Sequence, residues 1–274
     1  MVWLVQGGLM RTIDYPRFLG GLTVPAILIA VCLGRSCRAE AWADRRVAGP
    51  FVCWADFSLA GMEGIFDELA RLQQDLVSSL AVRPAERPIE LYLFRDQWSY
   101  RRFLSQYFPD VPYRRALYIR RAGNATVLAY RSRQLEVDLR HECTHALLHA
   151  TLPMVPLWLD EGLAEYFEVA PADRAFGCPH LANVRWRARL GMVARLEGVE
   201  SKGTLGEMGG SEYRNAWAWT HFMLQGPNEA HEELVRFLAD VQAQTPPGRL
   251  SDRLRRRLPG LERRFASHFR GWNR

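Results

Sequence analysis

"VDLRHECTHALLHATLPMVPLWLDEGLAEYFEVA", residues 137–170, sets two histidines four positions apart around a glutamate and follows them with an acidic segment. His141, Glu142 and His145 lie in its first half, and Asp160, Glu161, Glu165 and Glu168 in its second. Leu139, Cys143, Ala146, Leu147 and Ala150 fill the other faces of the first half, and Leu159, Leu163, Tyr166 and Phe167 supply the apolar positions of the second. Pro153 and Pro156 separate the halves, so the stretch predicts two helices, 135–150 and 157–169, joined by a tight turn.

Residues four apart on an α-helix lie about 40° apart around the axis and one turn along it. His141 and His145 therefore point the same way, and a neutral imidazole is a good zinc ligand. Glu142 is rotated by about 100°, which sets a carboxylate beside the ion without making it a ligand, in position to take a proton from an activated water. Cys143, about 200° from His141, faces away and belongs to the core. A zinc site that works on water needs three protein ligands and one open position. Thr151 stands where a third histidine, six residues after the second, would have been, and His149 lies too far along the axis to share one ion with both others, so it reads as a helix-end residue. The second helix supplies acids instead, and Glu161 and Glu165 share one of its faces.

His141-Glu142-Cys143-Thr144-His145 followed by "LWLDEGLAEYF" resembles the gluzincins, the thermolysin and aminopeptidase group of zinc metallopeptidases. Within that group it is similar to the peptidase MA-like domains of uncertain function found in exported bacterial proteins. The resemblance is specific over residues 137–168 and extends, in order of elements, over about 50–240. It implies a zincin-like fold in which Glu161 is the third zinc ligand and Glu165, one turn further on, holds a metal-bound histidine by a hydrogen bond. It also maps an oxyanion-binding tyrosine onto Tyr213 in "EYRNAWAWTHFML" (212–224). Tyr213, Trp217 and His221 recur at i, i+4 and i+8, one face directed at the cleft, and His221 competes for that role. The strand before the zinc helix, "ATVLAYRS" (125–132), corresponds to the edge that pairs with extended substrate in these enzymes. The chain departs from the pattern in one respect: fifteen residues separate His145 from Glu161, fewer than in thermolysin or the aminopeptidases. No Gly-Ala-Met-Glu-Asn exopeptidase element precedes the motif, which points toward endopeptidase action.

Outward from the motif, the chain changes character. Before it, "GPFVCWADF" and "RPIELYLFRD" read as strands, and "RALYIRR" and "ATVLAYRS" as two more joined by the turn residues Ala122-Gly123-Asn124. Between them, Ile65, Leu69, Leu72, Leu76 and Leu80 mark one face of a helix, and "QWSYRRFLSQYF" is a second helix stopped by Pro109 and Pro112. After it the pattern is helical throughout, at about 182–197, 211–225 and 228–243, then in basic terminal pieces. The expected architecture is α+β: an N-terminal mixed lobe (about 42–150) with a small sheet and an edge hairpin, and a helical C-terminal lobe (151–274), forming one catalytic unit over 42–274.

The 274-residue chain is 48% apolar and 24% charged, ordinary for a globular protein able to bury its own core. Phe18–Gly34 breaks this pattern with seventeen uncharged residues preceded by Arg11 and Arg17 and followed by small-residue sites at Ala39-Glu40-Ala41 and Ala41-Trp42-Ala43. Residues 1–41 read as an export signal that is cleaved, with an uncleaved anchor through 18–34 as the alternative and Met10 as a second candidate start. Removing four arginines and two acids with that segment takes the formal charge from +6 to +4. The densest basic stretch, "RLSDRLRRRLPGLERRFASHFR" (249–270), spaces Leu250, Leu254, Leu258, Phe265 and Phe269 as core positions of terminal helices, and no DNA- or RNA-binding motif accompanies it. Cys53, Cys143 and Cys178 remain, an odd number that gives no disulfide framework; three buried thiols is the expectation, with a Cys53–Cys178 bridge as the alternative. His180, His231 and His268 have no partners at metal spacing and read as surface residues.

The function expected is hydrolysis of a peptide or protein substrate outside the cytoplasm. Zn2+ is held by His141, His145 and Glu161, Glu142 is the general base, and Tyr213 stabilises the oxyanion. The rival from another class is a non-catalytic, zinc-stabilised binding protein of the cell envelope that keeps the fold; an intact Glu142 argues against it. Nucleic acid is not an expected partner.

Overall fold

The computed structural model describes residues 2–3, 42–121 and 123–273, so the apolar Phe18–Gly34 run and the rest of residues 4–41 of the expected export segment lie outside the described residues. Strands β1 (Val2–Trp3), β2 (Asp44–Ala48), β3 (Phe51–Ala55), β4 (Ile89–Phe94), β5 (Ala116–Arg121) and β6 (Asn124–Tyr130) form one sheet in the order β1-β5-β6-β4-β3-β2. The pairs β3–β4 and β4–β6 are parallel, and the hairpins β2–β3 and β5–β6 are antiparallel. Parallel neighbours require a crossover, which α1 (Glu63–Leu80) and α2 (Gln97–Tyr107) supply.

Side-chain alternation splits the sheet into two faces. Ile89, Leu91 and Leu93 of β4, with Ala116, Tyr118, Val127 and Ala129 of the hairpin, enter the main core beneath α1. Tyr92, Phe94, Leu117, Ile119 and Leu128 face the other way and pack against Tyr100 and Leu104 of α2. β4 is covered on both sides, which explains its nearly unbroken apolar run "IELYLF".

Seven further α-helices follow α3 (Leu135–Thr151), which carries His141, Glu142 and His145: α4 (Leu157–Phe167), α5 (Leu181–Arg189), α6 (Leu196–Glu200), α7 (Gly210–Gln225), α8 (Asn228–Gln242), α9 (Leu250–Arg257) and α10 (Leu261–Gly271). The main hydrophobic cluster runs from Ala48 to Phe269, so sheet and helical half share one core. The architecture is therefore α+β, as the sequence implies. No helix among the described residues is long and apolar enough to cross a membrane. Cys53, Cys143 and Cys178 are free and buried.

Three expectations change. The strand β2, "DRRVA", is not among the expected strands: its exposed Arg45 and Val47 make it an edge strand with little apolar signal. The helix expected over 182–197 breaks at Leu190, where Gly191 takes φ +72° and a new helix starts at Leu196. And β6, expected to offer its edge to substrate, is interior: its two edges are taken by β4 and β5, and β5 lies toward the sheet's end.

The helix that carries the acidic motif is held by close backbone approach. A Cβ on Gly162 would meet Thr220 Oγ1 at 2.4 Å and Ala216 O at 2.7 Å on α7. Any side chain at 162 would push α4 off α7 and move Glu161 with it. Gly162→Ala is expected to destabilise the protein by about 1–3 kcal/mol in urea denaturation, since the clash is with helix backbone that must shift. Gly198→Ala, where nothing lies within 4 Å, is the matched control and is expected to leave stability unchanged or slightly raised.

Candidate metal centre

α3 and α4 form an antiparallel helical hairpin connected by only five residues, 152–156. Because the helices run in opposite directions, stepping back one turn on α3 means stepping forward on α4. His149 meets Asp160, His145 meets Asp160 and Glu161, and His141 meets Glu161 and Glu168.

The Nε2 atoms of His141 and His145 face one another at 3.2 Å, and Glu161 Oε2 lies 3.8 Å from each. A point equidistant from these three atoms lies about 2.1 Å from each, which matches Zn–N and Zn–O bonds of about 2.0–2.2 Å. The far edges of both rings are directed at carboxylates: His141 Nδ1 donates to Glu168 Oε2 at 2.8 Å, and His145 Nδ1 lies 3.0 Å from Asp160 Oδ1, at an angle short of a straight hydrogen bond. With each Nδ1 directed at a carboxylate, the two Nε2 atoms converge on the carboxylate of Glu161. Three donors without an intervening positive charge would repel one another, so the residues fit a cation.

The electrostatics make the same point. Burial works to lower the His141 pKa, but its hydrogen bond to the Glu168 carboxylate and the charges of Glu142, Glu168 and Glu161 outweigh it and push it up to about 10. Burial likewise opposes, and the charge and hydrogen bond of Asp160 together with Glu161 overcome it, to bring His145 up to about 9. Glu161 is raised by its own burial, against the two histidines. The pocket thus draws in positive charge, and a divalent cation meets the same demand as two protons.

His145, His149 and Asp160 also converge closely enough for an ion. There, however, His149 Nε2 and Asp160 Oδ2 are already joined by a hydrogen bond at 3.0 Å. We therefore assign the cation position to His141, His145 and Glu161.

Glu142 and His141 line a cleft of about 800 Å³, with Glu165 and Glu168 from α4 and Arg114 and Arg115 on the approach to β5. Tyr213 is half-buried beside it. Its phenol is pushed up to about 12, by burial first and by the charge of Glu161 next, while the Arg114 guanidinium pulls the other way. Tyr213 is thus within electrostatic reach of both the candidate ligand and the cleft wall.

Several placements differ from the sequence reading. Glu165 does not reach either metal-site histidine; its Oε2 pairs with His180 Nε2 at 3.3 Å, so His180 is engaged rather than free on the surface. Glu168 takes the role expected of Glu165. Seven residues along a helix return to within about 20° of the start, so Glu168 shares the Glu161 face while lying level with His141. Arg140 secures this arrangement: its Nε donates to the Glu168 carbonyl at 2.6 Å and its guanidinium pairs with Glu68 at 2.7 Å. His149 is not a loose helix end; it is buried, bonded to Asp160 and packed on the Tyr118 ring.

His221 is fully buried, away from the cleft, with Nδ1 3.1 Å from His268 Nε2 and Nε2 3.0 Å from the Ala175 carbonyl oxygen. Trp217 is fully buried as well, so of that helical face only Tyr213 stands near the site. His268 packs against His221 and Trp272, and His231 bonds the Ser79 carbonyl at 2.7 Å, so neither is a free surface histidine. The arginines of the basic terminal stretch are partly neutralised within the fold, Arg253 by Glu233 and Asp240 and Arg257 by Glu232.

The chain matches no known family model, and no curated protein is similar to it at a significant level.

Two outcomes follow from this geometry. Glu168→Gln is expected to weaken zinc binding by about 10–100-fold, as removal of a carboxylate behind a metal-bound histidine does, whereas Glu165→Gln leaves it nearly unchanged; competition with a chromogenic chelator reads both. The buried pair gives a separate pH dependence. Burial lowers His221 to about 4 and His268 to about 3, the latter also by the charge of His221, against an unperturbed 6.5. The unfolded chain therefore takes up protons that the fold refuses, so the contribution of this pair is complete above about pH 6.5 and declines as pH falls toward 4. His268→Phe is expected to flatten the loss of stability between pH 6.5 and 4 relative to wild type in urea titrations.

Proposed function

We propose that the protein is a zincin-like zinc-dependent peptidase of gluzincin type. The observation that carries the reading is the convergence of His141 Nε2, His145 Nε2 and Glu161 Oε2 within 3.2–3.8 Å of one another, with Glu142 on the wall of an open cleft. A purely structural zinc site is closed by four protein ligands, whereas three ligands leave a position for water or substrate. A zinc ion bound there supplies a Lewis acid for the substrate carbonyl and lowers the pKa of a coordinated water to about 7.

The chain's own residues do the rest. Glu142, one position along the helix from His141, accepts the proton of the attacking water and returns it to the departing amine. Glu168 and Asp160 hold the two imidazoles in the tautomer that leaves Nε2 free, and they offset the cost of burying the cation. Tyr213, kept protonated by its raised pKa, keeps a hydroxyl donor within electrostatic reach of Glu161 and suits the negative oxygen that develops on the carbonyl. Trapped between α3 and α4 without a long insertion, the ligands are held by helix packing rather than by a mobile loop.

The motifs also motivate secretion: an enzyme preceded by the apolar Phe18–Gly34 segment would act outside the cytoplasm, on peptides or proteins it meets there.

The test compares the purified wild type with Glu142→Gln and Glu161→Ala. Wild type is expected to carry one zinc per chain and to cleave members of a peptide library. Glu142→Gln should retain the zinc and lose at least about 100-fold in kcat, in keeping with removal of a general base. Glu161→Ala should lose the metal. Zinc bound at full stoichiometry by a wild type that cleaves nothing would support instead the non-catalytic, zinc-stabilised envelope protein, and absence of zinc would overturn both.

A further inference from the structure

Of the seven large apolar side chains that stand in solvent among the described residues, three fall within seven positions: Trp186, Leu190 and Met192, respectively 54%, 58% and 38% exposed. Their exposure follows from local structure. α5 buries Leu181, Val184 and Ala188 and turns Trp186 outward. The helix then ends at a left-handed Gly191, with nothing within 4 Å of where a Cβ would lie, and the turn presents Leu190 and Met192 on either side of it.

Cations surround this tip. Two grooves share Val193 as their common wall. One contains Met192 with Arg187 and Arg214; the other contains Gly191 with Arg195, Arg263 and Arg270. In the second groove Glu262 is the acid, and Arg255 already holds it at 2.5 Å. None of the five other guanidinia forms an ion pair among the described residues. Arg214 Nε is buried without a hydrogen-bond partner, and burial together with the neighbouring Arg187 charge works against its ionisation, with the Glu212 charge opposing them only in part. Two adjacent, unpaired guanidinia, one of them partly desolvated, are an arrangement that an anion relieves.

We propose that the Trp186–Met192 turn is a membrane-docking tip, in which Leu190 and Met192 enter the interfacial layer of a bilayer and the flanking arginines engage anionic phospholipid headgroups. An apolar centre with a basic rim is the pattern of peripheral attachment: the apolar side chains supply burial, the guanidinia supply attraction to surface charge, and long arginine stems let the charged ends stay at headgroup level. Nucleic acid fits less well, because a phosphate backbone would leave Leu190, Met192 and Trp186 facing a charged surface with no burial. The tip uses no residue of the metal centre, so the two readings stand or fall separately.

Amide hydrogen exchange on the full chain tests this locally, since it reads residues 187–195 apart from any membrane affinity of Phe18–Gly34. Vesicles of phosphatidylcholine with phosphatidylglycerol are expected to slow exchange in this segment severalfold at low salt, less so as salt is raised, and vesicles of phosphatidylcholine alone to slow it little. Leu190→Ser combined with Met192→Ser, both at exposed positions, should abolish the local slowing while exchange elsewhere shows an intact fold. Arg195→Gln with Arg263→Gln and Arg270→Gln should reduce it. No slowing at 187–195 with anionic vesicles, equal slowing in the double serine variant, or stronger protection by a random-sequence DNA duplex than by vesicles would each overturn the proposal.

Discussion

Two imidazoles turned toward one carboxylate, with their outer edges tied to two more, form a charge arrangement that burial alone would reject. Asp160 and Glu161 are each only 3% exposed, and Glu168 is partly covered. Carboxylates at that depth must be matched by positive charge, whether protons on the histidines or a cation between them. The balance fixes the relation between α3 and α4: the helix hairpin cannot slide by a turn without separating His145 from Asp160 and His141 from Glu168 together. Arg140 adds a third tie, from the α3 backbone turn that bears His141 to the carbonyl at the end of α4.

The rest of the molecule is arranged to hold that hairpin still. The sheet presents Tyr118 to the rings of His145 and His149, with centroids at 6.5 and 5.5 Å, so that β5 backs the histidine helix from one side. From the other side α7 closes on α4 through Gly162, and the same helix carries Tyr213 toward Glu161. The positions of Glu161 and Tyr213 and the glycine contact are thus consequences of one helix–helix interface. Fixing ligands on packed helices rather than on loops is what limits the reorganisation a site must undergo when it works.

How much of this was legible in the chain depended on whether a local rule decided the matter. The short apolar runs of β4 to β6 and the helical faces of α1, α3 and α8 are short-range patterns, and the elements fall within a few residues of where the sequence puts them. The trio His141, Glu142 and His145 follows from helix geometry alone. The supporting carboxylates do not. Glu161, Glu165 and Glu168 all lie on one face of α4, and choosing between the last two requires the level at which α4 crosses α3, which only the tertiary structure sets. A seven-residue step from Glu161 would have been the available signal. His221 misled for the opposite reason: its helical phase matches Tyr213, but two further turns carry it under α10, where burial and His268 claim it. Histidine spacing reports direction around a helix and says nothing of what covers the next turn.

With five residues between α3 and α4, Pro153 and Pro156 limit the backbone conformations open to the turn, and α4 begins directly after Pro156. A one-residue change in where α4 starts would rotate Glu161 by about 100° and remove it from the histidines. In a site with a long insertion between ligands, that insertion can absorb such a change. Here nothing absorbs it except the packing of α4 on α7, where Gly162 allows no slack. The register of Glu161 is therefore set by interior close packing, and the candidate metal centre inherits the rigidity of the core rather than the freedom of a loop.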